Sequence, residues 1–246
     1  MAIKVTVISS DEPRRLTKRI TLKRDELMTE AGGHRVRGTY AVRAFETLAE
    51  FSEMLGALRT NEALVYGIPK GPAAGVVVTK SNLERMPEEK REGQIARSND
   101  HFEWSNGPGI FMIDIDPPKD GPALSKEGAI AIVRKIAPEL NEVPMLWYPS
   151  SSSYIYTDDG RELRGLRGQR LYVPVTDARK IPDLADALWD RAWAAGHGSI
   201  MVSKAGQILK RTFFDKCVYQ PSRLDFAAGA CTGQGIIQKR GKPELV

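Results

Sequence analysis

Gly109-Ile110-Phe111-Met112-Ile113-Asp114-Ile115-Asp116-Pro117-Pro118 is an apolar run that ends in two carboxylates and two prolines. β-Branched and aromatic residues favour a strand. Consecutive prolines cannot donate to a ladder, so the strand must stop just after Asp116. Side chains alternate along a strand, which places Asp114 and Asp116 on one face with Met112 behind them, and Ile113 and Ile115 on the other. Two anions this close repel, so they must be solvated, share a proton or hold a cation. Carboxylate oxygens suit Mg²⁺ or Mn²⁺, which bind through a few carboxylates plus substrate phosphates. The stretch reads as a metal site for phosphoryl transfer, set against the commoner case of an acidic, solvent-facing turn.

The chain has 246 residues, enough for one large domain or a core with an attached module. With 41% hydrophobic and 27% charged residues it reads as globular. No apolar run approaches the roughly 18 residues of a membrane span, and the N-terminus lacks the apolar core of a secretory signal. No membrane partner is expected, and a cytoplasmic location is the default. Cys217 and Cys231 lie far from His34, His101 and His197, which leaves no zinc site of the usual spacing and no disulfide framework. The net charge of +5 is unevenly spread: residues 13–24 carry Arg14, Arg15, Lys18, Arg19, Lys23 and Arg24 with no acid. Such a cluster favours a polyanion weakly and is as often solvated surface.

Along the chain, residues 2–8, 19–22 and 39–42 have strand character. Phe45, Leu48, Phe51, Leu55 and Leu58 recur at helical spacing, giving an amphipathic helix over about 44–59. A short strand over 62–67 leads into a Gly/Pro-rich turn at 68–75, and 79–99 reads as a charged loop or short exposed helix. After Pro117-Pro118, Ser125 looks like the N-cap of a helix bearing Ile130, Val133 and Ile136. Residues 144–175 form a hairpin with an elaborated tip holding Ser150-Ser151-Ser152-Ser153, Tyr154 and a run of arginines. Between 160 and 180 there are six Arg or Lys against two acids. A phosphate-facing turn therefore suits the serines better than a flexible linker. Asp183 is expected to cap a helix carrying Trp189 and Trp193. A strand over 199–203 and a turn at 204–206 precede Phe213-Phe214-Asp215, a third carboxylate emerging from an apolar stretch. From Gly229 onward, glycines and basic residues suggest a fraying end or a cut through a longer polypeptide.

Together these segments resemble the archaeo-eukaryotic primase and primase-polymerase superfamily, in the branch found in phages, plasmids and other mobile elements. Its first motif, an apolar strand ending in D-x-D or D-x-E, is similar to Phe111 to Asp116. Its second, a small-residue turn before a strand beginning with histidine, resembles Gly165-Leu166-Arg167-Gly168-Gln169-Arg170-Leu171-Tyr172-Val173, with Arg170 where the histidine would stand. An alternative alignment puts Tyr154 there, and the histidine is missing either way. The third motif, a carboxylate after an apolar pair, resembles Phe213-Phe214-Asp215, and 218–226 is similar to a segment of phage members. The likeness spans about residues 60–240.

The resemblance implies an α/β fold of the α+β kind. Residues 101–246 would form a catalytic core on an RRM-like antiparallel sheet flanked by helices, and 1–100 a small N-terminal α/β unit packed on it. It implies a DNA primase-polymerase in which Asp114, Asp116 and Asp215 hold two Mg²⁺ or Mn²⁺ ions for template-directed nucleotidyl transfer. Arg170, a fixed cation with several donors, would meet the nucleotide's phosphates, with Arg167, Ser152, Ser153 and Tyr154 as lesser candidates. Residues 203–223 hold five Lys or Arg against one acid. Lys210, Arg211, Lys216 and Arg223 are therefore candidates for contact with a single-stranded DNA template. The implied partners are NTPs or dNTPs, the template, and a helicase domain or subunit elsewhere, since no G-x-x-x-x-G-K-[ST] occurs in this chain. Asp225 is expected to be structural, pairing with Arg223 or a helix end. Competing readings are a metal-dependent nuclease, a D-x-D glycosyltransferase, and a nucleic-acid-binding replication module that kept the fold without catalysis.

Overall fold

The acidic strand, Gly109–Ile115, is sandwiched between two layers, and its register shows why both faces are apolar. The computed structural model describes residues 1–11, 15–33, 37–117, 121–203 and 205–246. Gly109–Ile115 pairs antiparallel with Gln169–Val175, which pairs antiparallel with Leu146–Pro149; Glu244–Leu245 adds the far edge. Gly109–Ile115 and Leu146–Pro149 thus run the same way, and strands so arranged need a crossover. The helix Lys126–Ile136 provides it. Ser125 starts that helix as expected, its Oγ accepting from the Gly128 N–H at 3.0 Å.

Alternation sorts the side chains. Phe111, Ile113, Ile115, Leu171, Val173 and Trp147 face the helices Lys126–Ile136 and Ile181–Ala194, meeting Ala129, Val133, Ile136, Ala185 and Leu188. Ile110, Met112, Leu146, Tyr148 and Tyr172 face a second sheet and lie on Ile3, Val5, Val7, Phe51 and Leu64. A sheet covered on both sides reads as a nearly continuous apolar run, so the two aspartates at its end stand out.

The second sheet has the order Leu224–Asp225, Glu62–Val65, Ile3–Ser10, Gly38–Phe45, Ala74–Val78, Gln94–Ala96. Its first strand comes from late in the chain. Cys231–Thr232 likewise returns to pair with Arg19–Lys23. The chain therefore crosses back over the boundary at residue 100, and 224–232 belong with the N-terminal layer.

Several elements differ from expectation for identifiable reasons. The strand begun at 39 runs on through Phe45, because its whole length pairs with Ile3–Ser10. The helix starts only at Leu48, capped by Thr47, whose Oγ1 accepts from Glu50 N–H at 3.2 Å, and it ends at Ala57. Ala74–Val78 is a strand whose N-terminal part lies in the expected turn, and the charged stretch after it folds into the helix Lys80–Arg85 and the strand Gln94–Ala96. Those two strands pair in parallel, which the intervening helix permits. Asp183 is no cap: the helix begins at Ile181, with Lys180 at the cap position and Asp183 in the first turn. The C-terminal segment does not fray among the described residues. Gln238 Nε2 donates to the carbonyls of Ser151 and Ser153, both at 3.0 Å, and Arg240 donates to those of Pro149 and Ala227. Ser199–Val202 pairs with Ile208–Arg211 in an exposed hairpin. Of the expected 204–206 turn, position 204 is outside the described residues.

Gly109 allows a close approach. A Cβ there would lie 2.6 Å from Ala178 Cβ, where the Ala178 N–H donates to Gly107 O at 2.8 Å.

Leu171 is fully buried between the helices, whereas Val202 on the hairpin is 65% exposed. Leu171→Ala is expected to cost about 2–5 kcal/mol, and Val202→Ser to stay within about 0.5 kcal/mol; urea denaturation of both variants measures this.

Candidate active site

The register of the central sheet sets one row of polar side chains: Asp114 opposite Arg170, and Arg170 opposite Tyr148. The row sits at the open end of the face that meets the N-terminal sheet, just beyond the apolar row Met112, Tyr172 and Leu146. Arg170 Nε lies 3.2 Å from Asp114 Oδ1 and 3.2 Å from Asp225 Oδ1. One guanidinium thus joins a carboxylate of the central sheet to a carboxylate of the other.

Asp225 is the deepest member, its side chain 1% exposed. Its Oδ2 accepts from Tyr66 Oη at 2.6 Å and Tyr172 Oη at 3.1 Å. Burial, and next the Asp225 carboxylate, push both phenols well above their ordinary range, so they stay protonated as donors. Burial alone would disfavour the Arg170 charge, but Asp225 and Asp114 outweigh it and hold the guanidinium ionised. Asp225 therefore pairs with Arg170 and two tyrosines instead of Arg223. The sequence carried one cue that was missed: an acid between apolar neighbours in Leu224-Asp225-Phe226.

The third acid comes to the first. The Asp215 N–H donates to the carbonyl of Asp114 at 2.9 Å, which seats residue 215 against the end of the acidic strand. Its Oδ1 accepts from the Cys217 N–H at 2.9 Å, capping a short turn. Asp116 is exposed, at the mouth. A Cβ on Gly168 would lie 2.8 Å from Asp116 Oδ1 and 2.9 Å from Ser150 Oγ, so a side chain there would have to displace the two oxygens that the glycine lets come close. Burial, with Asp116, Asp225 and Asp215 adding to it against the pull of Arg170, pushes Asp114 up to about 6. A raised acid in a cleft with other carboxylates makes this strand end a candidate functional site.

Of the two alternatives for the histidine position, Arg170 touches Asp114, whereas Tyr154 lies elsewhere. Tyr154 and Arg167 line an open cavity with Trp147, Lys126 and Glu244, toward the helix side of the sheet. The serines are not a linker. Ser150, Ser151 and Ser153 are buried, the Ser150 N–H and Ser153 Oγ both donate to Gly168 O, and Ser153 Oγ accepts from the Arg167 N–H. Ser152 accepts from Lys18 Nζ at 3.3 Å. Lys18 was seen in the sequence only as part of a basic cluster, yet it lies within electrostatic reach of Arg170, Asp116, Asp114 and Arg164. Burial, then Arg170, lowers its pKa. Among the nucleic-acid candidates, Lys210 and Arg211 sit on the exposed hairpin, Arg223 is exposed, and Lys216 pairs with Asp186 at 2.6 Å over the Trp189 ring.

No family model, curated protein or solved structure matches this chain. The case for a function therefore rests on its own residues. Among the described residues no three acid, histidine or cysteine side chains are gathered into a ready-made metal-holding group. The donor set is nonetheless of the right chemistry: Asp114, Asp116 and Asp215 offer only carboxylate oxygens, which hard divalent cations prefer. The upward shift at Asp114, from burial first and the neighbouring acids second, disfavours its charge, and such a cation would favour it. No helix is long and apolar enough to cross a membrane.

Two outcomes are expected. Asp225→Asn leaves Arg170 buried beside a weakened partner and should cost about 3–5 kcal/mol in urea denaturation. Asp114 titrates near 3.8 when unfolded and at about 6 when folded, so between those values the folded state binds more protons and stability falls as pH rises. Asp114→Asn should therefore be more stable than wild type above pH about 6 and gain nothing below about 4, read from melts across that range.

Proposed function

We propose that the chain is a DNA primase-polymerase, a nucleotidyltransferase that adds NTPs or dNTPs along a single-stranded DNA template in the replication of a phage or mobile element. The observation that carries this reading is the hydrogen bond from Asp215 N–H to Asp114 O, which joins acids 101 positions apart at one strand end beside Asp116. The fold, mixed α/β with several sheets, is compatible with a primase-type core. Three central strands lie in the order first, third, second, as this reading needs, while Glu244–Leu245 joins the edge beside the second.

In this reading Asp114, Asp116 and Asp215 would hold Mg²⁺ or Mn²⁺. When bound, the ions supply charge neutralisation on the triphosphate and activation of the attacking 3′-hydroxyl. Arg170 is a positioning residue: it holds Asp114 against repulsion from its neighbours and is itself anchored by Asp225. The exposed hairpin of Ser199–Val202 and Ile208–Arg211 carries Lys210 and Arg211 a few residues before the third acid in sequence, and in this reading its cations would meet a template backbone.

A second reading is a nucleic-acid-binding module without catalysis. It is favoured by the ion pair itself, since Asp114 Oδ1 already faces Arg170.

Primer extension and de novo synthesis with Mg²⁺ or Mn²⁺ separate the readings. Wild type should incorporate nucleotides, and Asp114→Ala should lose at least about a hundredfold in rate while still binding single-stranded DNA. Template cleavage in place of synthesis would redirect the assignment to a nuclease, and binding with neither activity to the module. Bound Mn²⁺ should also raise the melting temperature of wild type but not of Asp114→Ala.

A further inference from the structure

We propose that the exposed hairpin of one copy of this chain docks in an apolar groove of a second copy, so that copies associate head to tail. The inference is independent of the nucleotidyl-transfer reading.

The projecting half of the contact is the hairpin of Ser199–Val202 and Ile208–Arg211. Its register sets Val202 opposite Ile208 and Ile200 opposite Lys210. Directly opposed residues share a face and successive residues alternate, so Ile200, Val202, Ile208 and Lys210 form one side of the ribbon. Its three aliphatic side chains are 65%, 65% and 68% exposed. A two-stranded ribbon is marginal in water by itself, and a contiguous β-branched row left open to solvent marks a contact surface. Between 199 and 211 the sequence has three cations and no acid.

The receiving half is a groove on the helix side of the central sheet, between the helix Ile181–Ala194 and the turn Pro138–Leu140. Phe111 and Val173 floor it, Leu140 and Leu188 line its walls, and Leu184, 41% exposed, stands at its lip. Its volume is about 370 Å³. The helix stripe that faces it runs from Lys180 to Arg191, roughly 16 Å at the α-helical rise. Each four-residue strand of the hairpin is roughly 13 Å long, so the ribbon fits along the stripe.

Charge selects the occupant. Residues 137–143 and 177–194, which build the walls, hold six acids against three bases. Asp183, Ala187 and Asp190 follow one another at helical spacing, so two exposed carboxylates flank Ala187 on the groove. A basic, apolar ribbon and an acid-flanked, apolar groove of matching length thus occur on one chain. Two hairpins face to face would repel. The ribbon has no aromatic ring on which a base could stack, so its aliphatic row gains little from nucleic acid. Arg211 lies on the opposite side of the ribbon from Lys210 and stays available to a template backbone. Within one copy the aliphatic row is open, so ribbon and groove meet between copies. They are different surfaces, which makes the contact heterologous: each copy offers one of each, and association propagates.

Sedimentation velocity of the nuclease-treated full chain tests this. One ribbon in one groove is a small interface, so wild type should self-associate between about 10 and 500 μM, and less as salt is raised. Ile208→Asp on the ribbon and Leu184→Lys at the groove alter exposed side chains, and each alone should weaken association about tenfold or more. An equal mixture of the two variants should restore a complex of two chains and no larger, because one partner keeps the groove and the other the ribbon. If either variant is unfolded by circular dichroism, Val202→Asp or Ala187→Lys takes its place. A wild type that stays monomeric throughout overturns the proposal, and so does a mixture that stays monomeric. Association lost in Ile208→Asp but intact in Leu184→Lys would mean that hairpin pairs with hairpin, which also overturns it. The same holds if the chain stays monomeric while its hairpin binds only anionic vesicles or a single-stranded oligonucleotide.

Discussion

Arg170 is held between two carboxylates that belong to different sheets, and most of what is distinctive here depends on that contact. Asp114 comes from the central sheet and Asp225 from the edge of the N-terminal one, so the guanidinium fixes the distance and register between the layers at the point where they open. Apolar packing of Met112, Tyr172 and Leu146 on Val5, Phe51 and Leu64 supplies adhesion, but such contacts tolerate sliding. A charge with two opposite partners and two phenols behind them does not. The cost is visible at Asp114, whose burial among other acids works against its own ionisation. Strain of this electrostatic kind persists where a ligand relieves it, which is why the cleft and not the core is the place to look for chemistry.

The acids and the cations beside them come from segments far apart in the sequence. Asp114 and Asp116 end a strand near the middle, Asp215 follows the last long helix, and Lys18 comes from the first layer. Each is delivered by an element buried for reasons unrelated to chemistry. The apolar alternation of Gly109–Ile115 carries Asp114 and Asp116, and Phe214, in the helix-side core, carries Asp215.

Local signals were legible in the sequence. The strand 109–115 could be read from its apolar run and its prolines, the helix after Ser125 from its cap and period, and the hairpin between 144 and 175 from alternation either side of a polar tip. These depend on neighbours a few residues away. What depended on distant partners was not legible. The parallel pairing of Ala74–Val78 with Gln94–Ala96 hid inside a Gly/Pro-rich and charged stretch, because its strands are short and its period is overridden by tertiary contact. Asp225 was legible as a structural acid but its partners were not, for the same reason: Arg170, Tyr66 and Tyr172 lie 55, 159 and 53 positions away. Lys18 looked like one of several surface cations, since nothing near it in sequence says that Ser152 lies opposite. The candidate acids, by contrast, stood out because a carboxylate at the end of an apolar strand is costly wherever it sits.

The return of Leu224–Asp225 to the edge strand Glu62–Val65 has a kinetic side. A ribosome must release the chain through Asp225 before this sheet can acquire that strand and Arg170 its second counter-ion. Until then the edge at Glu62–Val65 is unprotected and a lone guanidinium faces a half-built interior. Such late, long-range closure makes for slow maturation and a window of stickiness during synthesis, in which a chaperone or the nascent chain's own N-terminal layer must keep that edge occupied.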